Sequence, residues 1–415
     1  MHTLSCSVKR IASPRKKPLL RMLWCVNVAP FGAPAKSHRF SLADVVPSSL
    51  LAISHEANPL SLPPVEKAIV LLVDGLGASA LTARAGHART LAPMLTAAST
   101  IGARFPSTTA SALASLTTGE TPGIHGLVGY RVLDAVNDRI VNQLSGWDDR
   151  LDPATWQRVP TLFEKARDAG IPSFAIGAER YRSSGFTRAV LRGAEYRSGG
   201  TISERFDEAR RVLDEIDRGL IYLYVPELDQ AGHSAGWQSP LWTTALEELD
   251  RSVRSFVPML GRGEGMLLTA DHGVLDVSEH SQVLFDSEPR LIDGIRFIGG
   301  EPRALQLYFE PDATSDHRAT VLASWREIEG SRSWIVSRAE AIESGWFGPT
   351  VDFEVIPRIG DIIVAARKSI AYYDSRVVTN TGRSMVGQHG SWSSEELAIP
   401  LLRFGAFAAA QGVRA

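Results

Sequence analysis

Alternating apolar strands and amphipathic helices predict an α/β fold. The expected architecture is a doubly wound, mostly parallel sheet with helices on both faces and a small inserted α+β lobe. Three observations carry this expectation. The run Ala68-Ile-Val-Leu-Leu-Val73 is apolar throughout, as a strand buried on both faces requires. Similar runs recur at 220–225 and 265–270, each preceded by a helical pattern. Residues 295–355 then switch to a quick succession of short strands and helices, which reads as a separate lobe.

Taken in order, residues 1–55 read as an N-terminal extension that is expected to be poorly ordered. Residues 56–415 read as one catalytic domain, with 290–360 as its inserted lobe. Lys9, Arg10, Arg15, Lys16 and Lys17 precede an apolar patch at 19–31, but Arg21 and several prolines interrupt it. We read that pattern as an extension rather than a cleaved leader, which favours a cytoplasmic location over secretion. Strand 68–73 ends in Asp74-Gly-Leu-Gly77, and a helix follows over 78–85. The segment Phe105-Pro-Ser-Thr-Thr109 turns into a short helix of small residues that Gly119 stops. Ser107 or Thr108 is the expected cap of that helix.

Residues 127–150 read as short strands and loops, with Tyr130 and Trp147 as exposed aromatic candidates. A helix over 161–169 leads to strand 172–176, and helix 204–218 carries Phe206, Ala209, Val212, Leu213 and Ile216 on one stripe. Helix 242–260 separates strands 220–225 and 265–270. The lobe pattern is strand 304–309, helix 317–328, strand 333–336 and helix 338–344, after which strand character returns at 361–365.

Composition excludes several classes of function. With 44% hydrophobic and 22% charged residues, the 415-residue chain is globular rather than disordered. A net charge of −2 gives no footprint for a nucleic-acid polymer and no polybasic membrane signal. Cys6 and Cys25 are the only cysteines and both lie in the N-terminal segment, so neither disulfides nor thiolate metal sites can hold the fold. No apolar run reaches membrane-spanning length.

In open α/β sheets, functional groups collect at the carboxyl ends of strands. Three strands here deliver metal-type side chains: Asp74 after the first, Asp229 and His233 in Pro226-Glu-Leu-Asp-Gln-Ala-Gly-His233, and Asp271 with His272 before Gly273. A fourth set is Gly387-Gln-His389-Gly-Ser391 near the C-terminus. Each piece alone is a common dipeptide or a lone histidine, and an ordinary Ser/Thr-rich cap would look like residues 107–109. Three Asp and three His together, with a hydroxyl at a helix start, point to metal chemistry. Carboxylate and imidazole without thiolate suit Zn²⁺, and Mn²⁺ also suits them. Six ligands suit two ions better than one. The helix N-terminus favours an anion, or a hydroxyl that becomes an alkoxide.

The ordered set Val73-Asp74-Gly75, Pro106-Ser-Thr-Thr109, Asp229 to His233, Ala270-Asp-His-Gly273 and Gly387 to Gly390 resembles the alkaline phosphatase superfamily. Within it, the set is most similar to the nucleotide pyrophosphatase/phosphodiesterase branch, over about residues 66–405. The resemblance implies that Asp74, Asp271 and His272 hold one zinc, with Thr109 bound to it as nucleophile. It implies that Asp229, His233 and His389 hold the other. Thr108 is the neighbouring candidate for the nucleophile. The implied reaction is hydrolysis of phosphate diesters or pyrophosphates, nucleotides among them, through a covalent phospho-threonine. A phosphomonoesterase, a phosphonate hydrolase of the same superfamily and a non-catalytic metal-binding protein are the alternatives. This chain departs from that branch at one position: its members usually carry an Asn three residues after the nucleophile, in contact with a phosphate oxygen, and here that residue is Ala112.

Other candidates read more plainly. His125 is expected to be structural, Glu227 a solvated carboxylate, and Arg180-Tyr-Arg182 a solvated edge rather than a contact for a leaving group. Aromatic and apolar side chains between 126 and 186 are expected to form the leaving-group pocket. The Cys/Ser-x-Pro-x-Arg segment of sulfatases and the phosphate loop of P-loop proteins are both absent.

Overall fold

The computed structural model describes residues 38–377 and 381–408. Residues 1–37, with both cysteines and the apolar patch, lie outside the described residues.

A seven-stranded sheet organises the molecule. Its spatial order is Thr100–Gly102, Ala398–Gly405, Glu264–Thr269, Lys67–Val73, Gly219–Val225, Ser173–Gly177 and Glu195–Ser198. The strand Lys67–Val73 runs parallel to both of its neighbours, with Val73 beside Val225 and Leu72 beside Thr269. Only Ala398–Gly405 runs against its neighbours. From Ala68 to Val73 every residue is buried, which requires cover on both faces of the strand. Helices Ile202–Glu215 and Pro240–Phe256 pack together as one group, and Val45–Ile53, Thr109–Thr118 and Leu162–Asp168 as another. Consequently the carboxyl ends of the three central strands, at Val73, Val225 and Thr269, lie side by side.

The helix Val45–Ile53 corrects the expectation that residues 1–55 are poorly ordered. Val45, Val46, Ala52 and Ile53 are fully buried, and Asp44 caps the segment by accepting from the backbone and hydroxyl of Ser41. Pro47 stands in the helix's first turn, where its missing N–H costs nothing. A short amphipathic piece gains its stability by docking, which composition does not reveal.

The lobe extends past its expected end and holds a strand near its start that the sequence pattern does not show. Its sheet is antiparallel, in the order Ile295–Glu301, Ala304–Phe309, Ile362–Ala366, Ser333–Ser337. The strand Ile362–Ala366 therefore lies inside the lobe, whose expected end was 360. Ile295–Glu301 was unread because Gly299 and Gly300 dilute its strand pattern. A second core holds the lobe, with Leu307, Trp325, Val364 and Ile335 buried together.

Two sets of contacts tie the lobe to the main domain close to the loops that carry Thr109 and His389. Phe105 stacks on Trp392 at 4.9 Å and meets Trp346 of the lobe edge-on at 4.9 Å. Arg303 makes two bonds of 2.8 and 2.9 Å to Glu396, both side chains being fully buried. Glu396 also accepts from the amides of Ser391 and Ser393, at 2.9 and 3.1 Å. Removing one member of a buried ion pair leaves an uncompensated charge, typically at about 3–5 kcal/mol. Arg303→Met is therefore expected to lower stability in urea unfolding by about that amount. Arg303→Met with Glu396→Gln is expected to recover part of it, and an unchanged midpoint in the single variant would contradict this account.

Candidate active site

The helix Thr109–Thr118 points its N-terminus at the strand ends, and Gly119 closes it in the left-handed conformation at φ +74°. All ten helical residues are buried, so the helix is fixed by packing. Thr108 occupies the cap position without making a side-chain cap bond. Ser107 instead donates to the carbonyl of Ser391 at 2.8 Å and accepts from the amide of Gly390 at 3.0 Å. The segment leading into Thr109 and the loop carrying His389 are thus bound to each other. Thr109 Oγ1 stands 3.2 Å from His272 Nε2. First-turn N–H groups have no partner within a helix and face the same space.

Around that hydroxyl the structure gathers all six predicted carboxylates and imidazoles. Asp74 Oδ1 lies 3.6 Å and Asp271 Oδ2 3.4 Å from His272 Nε2. Asp229 and His233 sit one turn apart on the helix Glu227–Ala235, with Oδ2 and Nε2 at 3.3 Å. His389 Nε2 is 3.3 Å from His233 Nε2 and 4.0 Å from Asp229 Oδ1. The ligating atoms of Asp74, Asp271 and His272 lie within 4.8 Å of one another, as do those of Asp229, His272 and His389. His272 stands between the two sets, its ring stacked on His389 at 3.7 Å.

Each imidazole is oriented by its other nitrogen. Nδ1 of His233 faces the carbonyl of Gly387 at 2.8 Å, that of His389 the carbonyl of Ser107 at 2.8 Å, and that of His272 the carbonyl of Gly273 at 3.3 Å. A carbonyl only accepts, so the proton belongs on Nδ1 and the Nε2 lone pairs converge on the centre. The carboxylates are similarly held. Asp271 Oδ1 accepts from the amides of Gly75 and His272, at 3.1 and 2.9 Å. Tyr224 donates its hydroxyl to Asp74 Oδ2 in a short bond. Gly75 adopts φ +71°, and a Cβ there would come within 3.0 Å of Asp229.

These residues fit a divalent cation pair on a direct observation. Asp74 Oδ1, Asp229 Oδ1 and Asp271 Oδ2 are buried without any hydrogen-bond donor. Unpaired buried carboxylate oxygens are costly, and a cation is the partner that satisfies several at once. Burial first, then Asp271 and Asp229, pushes the Asp74 carboxyl well above its ordinary range. Burial likewise raises Asp229, partly offset by His233 and His272. His389 is pushed well below the usual imidazole range by burial and by the other two histidines. A neutral imidazole is the form that ligates.

Two cavities open from Thr109, Asp229 and Leu144, which line both. The smaller, about 240 Å³, is walled by Tyr181, Phe186, Tyr196 and Tyr224. The larger, about 920 Å³, runs between the hairpin Arg131–Asp134/Arg139–Asn142 and the lobe strand Ile295–Glu301, past His233 and His389.

With this geometry in place, comparison with known proteins is informative. The profile of the type I phosphodiesterase / nucleotide pyrophosphatase family matches residues 68–392. The chain belongs to this family. Its fold matches murine ectonucleotide pyrophosphatase / phosphodiesterase 5 with a TM-score of 0.60 at 15% identity, over 82% of this chain and 88% of the other. It also matches phosphonoacetate hydrolase of Sinorhizobium meliloti 1021, solved with phosphonoformate, with a TM-score of 0.63 at 18% identity, over 82% and 91% of the two chains. Among curated sequences, a phosphopentomutase of Anaeromyxobacter dehalogenans is 32% identical over 131 residues, 30% of each chain. That match therefore spans less than a third of the relative's length.

Several sequence expectations are corrected by the family member's structure. Ala112 is buried in the main core at 5% exposure, one helical turn after Thr109. Tyr130 and Trp147 are half-buried, Trp147 donating to the carbonyl of Gln143 at 2.8 Å. Glu227 is not merely solvated, since it pairs with the buried Arg205. Tyr181 faces the small cavity while Arg182 pairs with Glu179 at the surface. His125 is structural: it contacts Ser115 Oγ at 3.0 Å, accepts from the amide of Leu127, and burial and Arg358 lower it to about 3.

The sequence missed three contributors. Tyr224 could have been found, because it precedes Asp229 on the same strand-to-helix passage. Tyr196 and Glu301 come from distant segments and left no local signal. Glu301 extends from the lobe to stand 3.4 Å from His389 Nδ1, and burial raises its carboxyl well above the usual range.

Crowded carboxylates strain the metal-free site. Because the folded-state pKa of Asp74 lies above its unfolded value, the folded protein loses stability as pH rises beyond the unfolded value. Asp74→Asn is therefore expected to raise the Tm of chelator-treated protein at pH 7 and to do so less at pH 4, while lowering metal content by elemental analysis. A Tm that falls at pH 7 in the chelated variant would refute this.

Proposed function

We propose that this chain hydrolyses phosphate diesters or pyrophosphates, nucleotides among them, with Thr109 Oγ1 as nucleophile. The observation that carries this reading is the meeting of two cavities at Thr109 and Asp229. A phosphoryl group placed there has room for a substituent on each side, which a monoester leaves half unused. The aromatic walls of the smaller cavity suit a flat ring such as a nucleobase or an aryl leaving group.

Asp74, Asp271 and His272, with Thr109, would hold one divalent ion, and Asp229, His233 and His389 the other. Zinc is the ion that best matches these ligands, with manganese second. When bound, such ions supply positive charge that stabilises alkoxide and phosphoryl oxygens at neutral pH. The chain's own residues do the rest. The helix N-terminus presents its free N–H groups to the phosphoryl oxygens. Tyr224 fixes the orientation of Asp74 through its hydroxyl, and the backbone carbonyls at Gly387, Ser107 and Gly273 fix the imidazoles. Thr109 loses its proton to solvent, Oγ1 bonds to phosphorus, and the bond to the leaving oxygen breaks. That oxygen is protonated by water, and a second water then attacks phosphorus and releases Oγ1.

The fold neighbours include a phosphonate hydrolase, and a curated relative over part of the chain is a mutase. Rates on nitrophenyl mono- and diesters separate these chemistries. A diester preference in kcat/KM is expected, and a monoester preference of about tenfold or more would move the reading to the phosphomonoesterase side. Thr109→Ala is expected to lower kcat at least about a thousandfold with metal content and fold retained. If Thr108→Ala is the inactive variant instead, the nucleophile is one residue earlier. His233→Ala and His389→Ala are each expected to reduce bound metal from two ions towards one. Two tightly held ions in either variant would remove that histidine from the ligand set.

A further inference from the structure

The larger cavity has a charge asymmetry that the proposed reaction does not use. Four arginines line it: Arg131, Arg139, Arg296 and Arg376. Three of them are neutralised by carboxylates. Arg139 pairs with Asp134 at 3.1 Å and also with Asp148, Arg296 pairs with Asp138, and Arg376 pairs with Asp374 at 2.8 Å. Asp138 and Asp374 face the same cavity but are consumed by those pairs. The other carboxylates on the wall are Asp229, which belongs to the proposed metal site, and the buried Glu301 beside His389. Arg131 is exposed and has no hydrogen-bond or ion-pair partner among the described residues. Its backbone is fixed nonetheless. It pairs with Asn142 across the hairpin, and its carbonyl lies against Gly299 of the lobe strand, where a Cβ would come within 2.6 Å. A guanidinium on a rigid backbone, left unneutralised in a cavity that opens at the nucleophile, is a site for a carboxylate or phosphate.

We infer that the substituent occupying the larger cavity carries an anionic group, and that Arg131 binds it. The substrate is then a two-armed phosphate compound, with a flat aromatic arm in the small cavity and an acidic arm in the large one. This inference rests on the diester reading above and adds the charge of the second arm. It makes Arg131 a specificity residue, remote from the reacting atoms, that binds the ground state and the transition state alike.

The test uses two nitrophenyl phosphodiesters that differ only in the second arm. One arm ends in a carboxylate and the other in the corresponding neutral amide, and both are assayed with the metal-loaded full chain at low salt. The wild type is expected to favour the carboxylate arm by about fivefold or more in kcat/KM, chiefly through KM, as one charge-assisted hydrogen-bonded pair supplies. Added salt is expected to shrink the preference, because an exposed guanidinium is screened. Arg131→Gln is expected to abolish the preference while keeping turnover of the amide-armed diester near wild type. Arg131→Lys, which keeps the charge and loses the fork, is expected to retain part of it. Equal kcat/KM for the two arms in the wild type, or an undiminished preference in Arg131→Gln, would overturn the inference and leave the diester reading standing. Turnover of monoesters with neither diester cleaved would instead overturn the diester reading, and this inference with it.

Discussion

The structure depends on one electrostatic constraint, the convergence of Asp74, Asp229 and Asp271 in a buried space. Three parallel strands pair in a register that brings their carboxyl ends together, so the residues that follow them meet. Each carboxylate keeps one oxygen without a donor, and burial and mutual repulsion raise the carboxyls of Asp74 and Asp229. Such a cluster opposes folding unless cations or protons neutralise it. The surrounding fold tolerates it because the buried central strands of the sheet and two groups of helices supply cohesion elsewhere. Function here is carried by a site that the core must hold together against its own charge.

Rigidity of the ligands follows from their second contacts. Each of the three imidazoles is oriented by a carbonyl on Nδ1, and two of those carbonyls, at Ser107 and Gly387, belong to the segments that carry Thr109 and His389. Ser107 precedes Thr109 by two residues and is bonded to the loop of His389 at Ser391 and Gly390. Displacing the segment that carries Thr109 would therefore displace His389 as well. A proposed covalent nucleophile benefits from that coupling, since near-attack geometry tolerates little drift.

The lobe is more than an appendage. Arg303 and Glu396 connect its sheet to the segment that follows His389, and Phe105 packs between Trp392 and Trp346 four residues ahead of Thr109. The same lobe forms one wall of the larger cavity and sends Glu301 to the edge of the site.

By itself, the sequence determined the parallel sheet, the short helix after Thr108 with its Gly119 stop, and the six carboxylate and imidazole side chains that the fold brings together. These are local signals: buried strands read as continuous apolar runs, and the residues just past them carry the chemistry. What it could not determine depends on distant segments meeting. The docking of Val45–Ile53 needs the surface of the main domain, and Ile362–Ala366 joins the lobe through antiparallel partners more than twenty residues away. The wall of Tyr181, Tyr196 and Tyr224, the contact of Glu301 with His389, and the unneutralised charge of Arg131 exist only once strands from separate parts of the chain lie side by side. Pairing consumes charges according to which neighbours the tertiary fold supplies, so a free arginine and a neutralised one are identical in sequence and differ only in structure.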